Sequence, residues 1–240
     1  MFEKQLVAAL VTVSLSASVW AADHGHGDEQ SQVAAFINHL NVDNAEFIEG
    51  HQPSYFAELS KGQHPKATVV TCSDSRVQTD EFDKTPEDEL FMVRDIGNQM
   101  STAEGSVEYG VHHLHTPILM IIGHSRCGAI AAASGDYSKE SSPIKRELDT
   151  IKIDKGVANI DGVKTNVNNQ VAAAMKKFSE EVKDGHLTVI GAVYDFADDM
   201  KEGAGKLNII NVNGETNPAK LSDISTLTAK GSAGNEHAHH

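Results

Sequence analysis

The chain has 240 residues, of which 22% are charged and 40% hydrophobic. These values are ordinary for a globular protein and exclude a disordered or fibrous chain. Its 34 acidic residues outnumber its 20 basic residues and give a formal net charge of −14. A surface with this balance repels phosphate backbones and anionic lipids, so we expect no nucleic-acid partner. The length favours one large domain over two.

The first 21 residues have the pattern of a secretory signal peptide. Lys4 precedes an apolar stretch from Leu6 to Val19, and Val19 and Ala21 stand before a plausible cleavage site. The apolar stretch is too short and too rich in Ser and Thr for a good membrane span. We therefore expect an exported protein, periplasmic or secreted, that has no membrane association after signal cleavage.

Both ends of the remaining chain are predicted to be tails. Residues 22–30 and 231–240 are polar, contain glycine and are rich in histidine, which is typical of disordered segments. Solvated tails explain these histidines better than metal binding does. We place a single domain at residues 31–216, between a tail at 22–30 and a C-terminal tail at 217–240.

Five short apolar runs predict strands that are buried on both faces. They lie at residues 67–71, 90–93, 118–122, 187–193 and 207–212. Helical spacing of apolar residues occurs between them, at 167–182 and 103–114, and helices are also predicted within 32–59. The alternation predicts an α/β fold with a mostly parallel central sheet of four or five strands, covered by helices and preceded by an N-terminal helical extension. Helices that precede the sheet need another surface to cover, such as a neighbouring subunit.

Three polar clusters follow the first three strand candidates directly. They are Cys72–Arg76, Arg94–Asn98 and Gly123–Gly128. Ligands bind beyond the carboxyl ends of strands in parallel α/β sheets, so loops that are distant in sequence meet there when their strands are neighbours. The pattern therefore predicts that Cys72 and His124 lie close together.

The residues of these clusters are typical of a zinc site. His124 and Cys127 stand three apart in a loop that opens into an Ala-rich helix, so both side chains can face one point. With Cys72 they form a ligand set that zinc prefers, and a fourth tetrahedral position is left for water or a carboxylate. Asp74 is the candidate carboxylate, and Arg76 is the natural partner to hold it away. A disulfide between the two cysteines, a thiol nucleophile and plain core thiols remain open at this point.

Together these motifs resemble the β-class carbonic anhydrases, in particular the plant-like subtype. The matching blocks stand in that family's order and cover the central third of the chain: Cys72–Val77, Val93–Asn98, Glu108–Gly110 and Gly123–Gly128. A weaker match follows at Val189–Asp195. The resemblance implies zinc-dependent reversible hydration of CO2 to bicarbonate and a proton, with Zn²⁺ bound by Cys72, His124 and Cys127.

The same resemblance implies roles for the residues around the metal. Asp74 and Arg76 would form a catalytic dyad, in which Asp74 becomes a fourth metal ligand only in a closed form. Zinc would supply hydroxide near neutral pH by lowering the pKa of bound water. Because two thiolates cancel the formal charge of the metal, we expect activity to rise with pH.

Four further residues are expected to contact the substrate. Gln63, nine residues before Cys72, occupies the place of a substrate-contacting Gln in plant-like members. The resemblance assigns Phe91, Ile96 and Tyr109 to the apolar wall of the CO2 pocket, contributed in part across a dimer interface. It therefore implies a homodimer or a dimer of dimers. Ordinary core packing is an alternative explanation of these three side chains.

The chain departs from the family pattern at four positions. Val69 stands where members with an allosteric bicarbonate site carry Trp, so we expect no such site. Asp95 stands where Asn is usual, Ala129 where a second Gly is common, and Arg126 where a smaller residue is expected. These changes affect local electrostatics and loop geometry but leave the ligand set intact.

Several other readings of the sequence remain. A hydrolase of CS2 or COS on the same fold, a non-catalytic periplasmic zinc-binding protein and a thiol redox protein are the alternative functions. Structural or exposed roles are preferred for His112, His113 and His115, and a structural role for Arg94 at its strand end.

Overall fold

The computed structural model describes residues 29–222, and these divide into two compact units, residues 29–57 and 58–222. The predicted signal peptide and most of the two predicted tails lie outside the described residues. The first helix begins at Glu29, inside the stretch predicted as an N-terminal tail, and Pro218–Leu221 forms a short helix where the C-terminal tail was expected to begin. Within the described range, no helix is both long and apolar enough to cross a membrane.

The first unit contains α1, Glu29–Glu49, and most of α2, Pro53–Leu59. The ring of Phe47 meets those of Tyr55 and Phe56 edge-on, with centroids 6.0 and 6.1 Å apart, and these contacts join the two helices. Neither helix has a buried residue. Apolar residues at helical spacing give α1 one exposed apolar face, which consists of Val33, Phe36, Ile37 and Leu40.

The second unit is built on a five-stranded sheet with the order β2-β1-β3-β4-β5. Its strands are β1, Ala67–Cys72; β2, Leu90–Asp95; β3, Ile118–His124; β4, Thr188–Asp195; and β5, Lys206–Val212. The first four are parallel, and β5 runs antiparallel to β4 with an irregularity between Gly191 and Ala192. The predicted mostly parallel sheet and N-terminal helical extension are confirmed.

The strands extend further toward their carboxyl ends than the apolar runs predict. β1 continues to Cys72, β2 to Asp95 and β3 to His124, because the backbone ladder does not require apolar side chains. Cys72 is opposite Asp95, and His124 is opposite Tyr194. The polar residues predicted to act in chemistry are therefore fixed by strand pairing at one edge of the sheet.

Helices cover the sheet, and the longest of them is α6, Asn159–Lys177. Its buried face carries Val167, Val171 and Ala174 at helical spacing, as predicted, and also Val163, which precedes the predicted pattern. The predicted continuation to residue 182 is interrupted at Phe178, whose ψ of 39° leaves the helical range and whose side chain is fully buried. The other helices of this unit are α3, Glu104–Glu108; α4, Gly128–Ser134; α5, Ser142–Leu148; α7, Ser179–Lys183; and α8, Pro218–Leu221.

The helix predicted at 103–114 is not uniform. After α3, residues Tyr109–His113 form a single π turn, in which the N–H of Leu114 donates to the carbonyl of Tyr109 at 2.9 Å. Gly110 lies in this turn against β1, where a Cβ would come 2.0 Å from Oγ1 of Thr68. The turn therefore brings helix backbone against the sheet at a distance that only glycine permits.

Candidate metal centre

The predicted site residues meet at the carboxyl edge of the sheet. The strands β2, β1 and β3 are neighbours in that order, so the loops that follow them lie side by side. Cys72 ends β1 and His124 ends β3. Cys127 immediately precedes α4, with the extended backbone of an N-cap residue. Residues separated by more than fifty positions in sequence thus share one site.

Cys72, His124 and Cys127 form a buried cluster. One ligand atom from each residue lies within 4.8 Å of the others, and no other group of this kind is found among the described residues. Both cysteines are free thiols, so the alternative of a disulfide between them is wrong. The predicted juxtaposition of Cys72 and His124 is present in the structure.

The His124 imidazole is oriented as a ligand. Its Nδ1 is 3.0 Å from the carbonyl of Ser125, a contact that requires the proton on Nδ1 and leaves a lone pair on Nε2. The ring is fully buried, and Nε2 has no hydrogen-bond partner within residues 29–222. The ring stacks on Phe196, with centroids 5.9 Å apart. A buried nitrogen without a partner is costly unless something binds it.

The two thiols interact directly. A hydrogen bond from the Cys127 thiol lowers the pKa of Cys72, and bonds from the backbone N–H groups of Gly97 and Asp74 act in the same direction. The same hydrogen bond and burial raise the pKa of Cys127. The two sulfurs are therefore joined by a hydrogen bond, and a cation that binds both of them would displace the thiol protons.

Asp74 and Arg76 lie beside this cluster. Arg76 donates from Nε to Oδ1 of Asp74 at 2.9 Å and from Nη2 to Oδ2 at 2.7 Å. These bonds, made by the Arg76 side chain, hold the pKa of Asp74 well below its usual range. Oδ2 of Asp74 is 3.8 Å from Nε2 of His124. The carboxylate is thus adjacent to the ligand cluster while its two oxygens are held by arginine.

Two contacts fix the Arg76 side chain. Its guanidinium carbon lies 4.8 Å from the centre of the Phe196 ring, and Nη2 also donates to the carbonyl of Arg126 at 3.3 Å. Arg126 itself has a φ of +53°, and its Nε lies 3.5 Å from Oδ2 of Asp199. The large residue at position 126 therefore points toward the loop after β4, and its backbone supports the dyad.

Arg94 has a role that sequence reasoning gave only in outline. Its Nη2 donates to the carbonyls of Asp74 at 3.0 Å and of Val77, so it joins β2 to the loop that carries the dyad. A positive side chain directly after an apolar strand run was the only signal in the sequence. The contact is structural, but it determines where the Asp74 backbone lies.

These residues fit zinc. Two thiols and one imidazole are a donor set that zinc prefers, and structural zinc sites need a fourth protein ligand, whereas catalytic sites keep that position open. The nearest additional donor is Asp74, which Arg76 holds. The free thiols and the unpartnered Nε2 of His124 are all available to a cation.

Asp95 differs electrostatically from the Asn usual in the family. Its Oδ1 accepts from the N–H of Gln99 at 2.8 Å, and its Oδ2 accepts from the hydroxyl of Thr102. Burial raises the pKa of Asp95 to about 6. An acidic group is therefore placed at the end of β2, opposite Cys72.

The four predicted substrate contacts lie at different ends of the strands. Ile96 follows Asp95 at the carboxyl edge, near the cluster. Phe91 is opposite Thr68, four residues before Cys72, so about 13 Å of strand separates it from that end. Tyr109 accompanies Phe91, with ring centroids 5.8 Å apart. Gln63 lies four residues before the start of β1, at the opposite end of that strand from Cys72.

The three histidines at 112, 113 and 115 are exposed and lie in or just after the π turn. Nε2 of His112 is 2.8 Å from Oε1 of Glu181, and its ring meets Phe178 edge-on. His115 has a φ of +55°. None of them belongs to the cluster of potential metal ligands.

A parallel α/β sheet with two cysteines and a histidine at its carboxyl edge, beside an Asp–Arg pair, defines a zinc enzyme of the carbonic anhydrase type. A sequence profile of the family described as "Carbonic anhydrase" matches residues 67–201, more than half of the chain. The chain belongs to the carbonic anhydrase family, in its β class.

Individual relatives agree with this assignment. "Carbonic anhydrase 2" of Mycobacterium tuberculosis (strain CDC 1551 / Oshkosh) is 28% identical over 179 residues, which are 66% of this chain and 86% of that protein. "Carbonic anhydrase" of Mycolicibacterium smegmatis is 27% identical over 183 residues, 68% of this chain and 89% of that protein.

Solved structures share the fold. The β-carbonic anhydrase CcaA has a TM-score of 0.63 at 20% identity, covering 75% of this chain and 95% of its own. A tetrameric β-carbonic anhydrase of Sordaria macrospora has a TM-score of 0.61 at 24% identity, covering 74% of this chain and 98% of its own.

Proposed function

We propose that this chain is an exported, plant-like β-carbonic anhydrase that works as a dimer and hydrates CO2 to bicarbonate and a proton, reversibly and with zinc. Its family and its carbonic anhydrase activity rest on the profile match and the Cys-His-Cys cluster. The observation that carries the function is the convergence of Cys72, His124 and Cys127 within 4.8 Å, beside a carboxylate held by arginine.

The thiols are prepared to bind the cation. Backbone N–H groups of Ala129 and Ile130 donate to the sulfur of Cys127, and those of Gly97 and Asp74 donate to that of Cys72. Hydrogen bonds of this kind favour the thiolate form that metal ligands require. Zinc, when bound, supplies a hydroxide near neutral pH because it lowers the pKa of a coordinated water.

Asp74 and Arg76 then orient the reaction. Because its pKa is lowered, Asp74 is ionised at neutral pH and can only accept hydrogen bonds. Arg76 occupies both carboxylate oxygens and so opposes movement of the carboxylate onto the metal. The remaining lone pairs of Asp74 can accept a hydrogen bond from a group that binds beside His124. This hydrogen bond would fix the direction from which CO2 is attacked.

A second copy of the chain completes the substrate pocket in this proposal. Gln63, Phe91 and Tyr109 lie at the amino ends of the strands and do not reach the ligands of their own chain, whereas Tyr109 is 44% exposed and available to a partner. The exposed apolar face of α1 is a further surface for a subunit contact. The tetrameric β-carbonic anhydrase of Sordaria macrospora supports assembly beyond the monomer.

Subtype and location are also proposals. Gln63 supports the plant-like subtype, and Val69 supports the absence of an allosteric bicarbonate site. The signal-like pattern of residues 1–21 supports export to the periplasm or the medium. Fractionation of expressing cells and N-terminal sequencing of the recovered protein test this, and a cytoplasmic protein that retains residues 1–21 would refute it.

The test of the function combines metal analysis with a CO2 hydration assay. We expect about one zinc per chain and a rate that rises with pH, and we expect Cys127→Ser to lose both metal and activity. Ser134→Ala, on the same helix α4, removes only a hydrogen bond to the carbonyl of Ala131 and serves as the control. Zinc-loaded protein that is inert from neutral to alkaline pH would refute the proposal.

A further inference from the structure

Three buried amide side chains meet beneath the loop that follows β2. Gln99 belongs to that loop, and Asn166 and Gln170 stand one turn apart on α6. Gln99, Asn166 and Gln170 are 0%, 1% and 7% exposed, and the helix face that carries the last two is otherwise apolar. Burial of a primary amide is unfavourable unless its hydrogen bonds are satisfied. The mechanism described above uses none of these three residues.

The amides satisfy one another and converge on one carbonyl. Nε2 of Gln99 donates to the carbonyl of Gly97 at 2.6 Å and to Oδ1 of Asn166 at 2.8 Å. Nδ2 of Asn166 donates to the same Gly97 carbonyl at 2.9 Å. Gln170 donates from Nε2 to Oε1 of Gln99 at 2.9 Å and accepts at Oε1 from the N–H of Met100 at 2.9 Å. The network therefore clamps Gly97 and the residues after it.

Gly97 is the link between this network and the metal site. It has a φ of +83°, and a Cβ there would lie 2.9 Å from Cδ1 of Ile151 and 3.3 Å from Cβ of Ala129. Gly97 comes two residues after Asp95, which is opposite Cys72 in the sheet and whose carbonyl accepts from the N–H of Ser73 at 2.8 Å. In this position the backbone N–H of Gly97 contacts the sulfur of Cys72 and lowers the pKa of that thiol. The carbonyl of Gly97 is thus held by helix α6, while its N–H contacts a metal ligand.

We propose that Asn166, together with Gln99, is a positioning residue of the metal site, which holds Gly97 so that its N–H donates to the Cys72 sulfur. Groups that hydrogen-bond to a metal ligand orient it and tune the charge it donates to the metal. An N–H bonded to a thiolate withdraws charge from the sulfur. In a site with two thiolates, this withdrawal leaves the bound cation more positive. The inference rests on the proposed function only in assuming that the cluster binds a metal.

Cobalt(II) substitution tests the inference without using activity, because the thiolate-to-cobalt charge-transfer band reports the charge on the sulfur. We expect Asn166→Ala to shift this band to longer wavelength, since a sulfur without its N–H partner is easier to oxidise. We also expect zinc to bind about tenfold or more weakly, as is usual when a partner of a metal ligand is lost.

Asn169→Ala is the matched control. Asn169 lies on the same helix and donates from Nδ2 to the carbonyl of Lys152 at 2.7 Å, so its loss also removes one amide-to-carbonyl bond, but away from Gly97. We expect this variant to keep the wild-type band and zinc affinity. Asn166→Leu, which retains the size but has no donor to Gly97, carries the same expectation as Asn166→Ala if the alanine variant does not fold.

Asn166 variants that fold and keep both the wild-type band and the wild-type zinc affinity would overturn the proposal and leave the amides as core packing. A shift that occurs equally in Asn169→Ala would also overturn it. Failure of the wild-type chain to bind cobalt or zinc would instead refute the metal site itself. Failure of CO2 hydration with an intact charge-transfer band would count against the proposed function alone.

Discussion

Asp74 and Arg76 form a bidentate ion pair that leaves Oδ2 of Asp74 only 3.8 Å from Nε2 of His124. The carboxylate is therefore within a small movement of the metal ligands, and arginine opposes that movement. Since the guanidinium also contacts the ring of Phe196 and the carbonyl of Arg126, its own position is fixed by several contacts.

The first prediction concerns this pair. In Arg76→Gln the charge-assisted bonds are lost, the carboxylate is free to approach the metal, and we expect CO2 hydration to fall by about 10- to 100-fold. Stopped-flow hydration measures the rate, and a changed spectrum of the cobalt-substituted variant reports entry of the carboxylate. Arg146→Gln, an exposed position on α5, is the control. Wild-type rates in Arg76→Gln would show that the pair has no part in the reaction.

Much of this site was predictable from the sequence because it depends on strand order and local spacing. Apolar runs marked the five strands, and polar residues directly after them placed Cys72 and His124 at one edge. The three-residue spacing of His124 and Cys127, in a loop that leads into an Ala-rich helix, predicted that both side chains face the same point. These are properties of short segments, which periodicity reports well.

Other features were not predictable because they depend on contacts between distant segments. The π turn at Tyr109–His113 includes the close approach of Gly110 to Thr68, and this contact between distant segments has no local signature. The clamp on Gly97 joins residues about seventy positions apart, such as Gln99 and Gln170. The register that sets Phe91 opposite Thr68 likewise depends on pairing between two separate strands.

The second prediction tests the π turn. A Cβ at Gly110 would lie 2.0 Å from Oγ1 and 3.0 Å from Cβ of Thr68, so Gly110→Ala must displace the turn from β1. We expect it to destabilise the fold by about 2 kcal/mol or more, measured by urea unfolding. Gly105→Ala, in the adjacent α3 with nothing within 4 Å of its added Cβ, should instead stabilise by about 0.5 kcal/mol. Equal stability of the two variants would contradict the observed packing.

The third prediction concerns the pH dependence of stability through Asp95. Burial raises its pKa in the folded chain to about 6, whereas an unfolded Asp titrates near 3.9. The folded state therefore holds the proton more tightly, so stability falls as pH rises from about 4 to about 6 and the full penalty of about 3 kcal/mol applies above that range.

Asp95→Asn removes this penalty but weakens the hydrogen bonds to Gln99 and Thr102. We expect a net gain of about 2 kcal/mol at pH 8, which disappears below about pH 4. Urea unfolding of the chelator-treated chain at both pH values measures it, because a bound cation would itself lower the Asp95 pKa. A gain that is the same at both pH values would show that ionisation of Asp95 is not its cause.

The fourth prediction tests whether a partner subunit supplies the substrate wall. Cys127→Ser abolishes the metal site but keeps the substrate wall. The double variant Gln63→Ala, Tyr109→Ala keeps the metal site but loses part of the substrate wall. In a symmetric dimer, a mixed pair contains one complete site when the wall crosses the interface, and none when it does not. When equal amounts are mixed at random, about half of the dimers are mixed, and each mixed dimer has one complete site out of two. We therefore expect about one quarter of the wild-type CO2 hydration activity. Two inactive variants that stay inactive after co-refolding would show that the wall acts within its own chain, and full activity of the double variant alone would remove Gln63 and Tyr109 from the site.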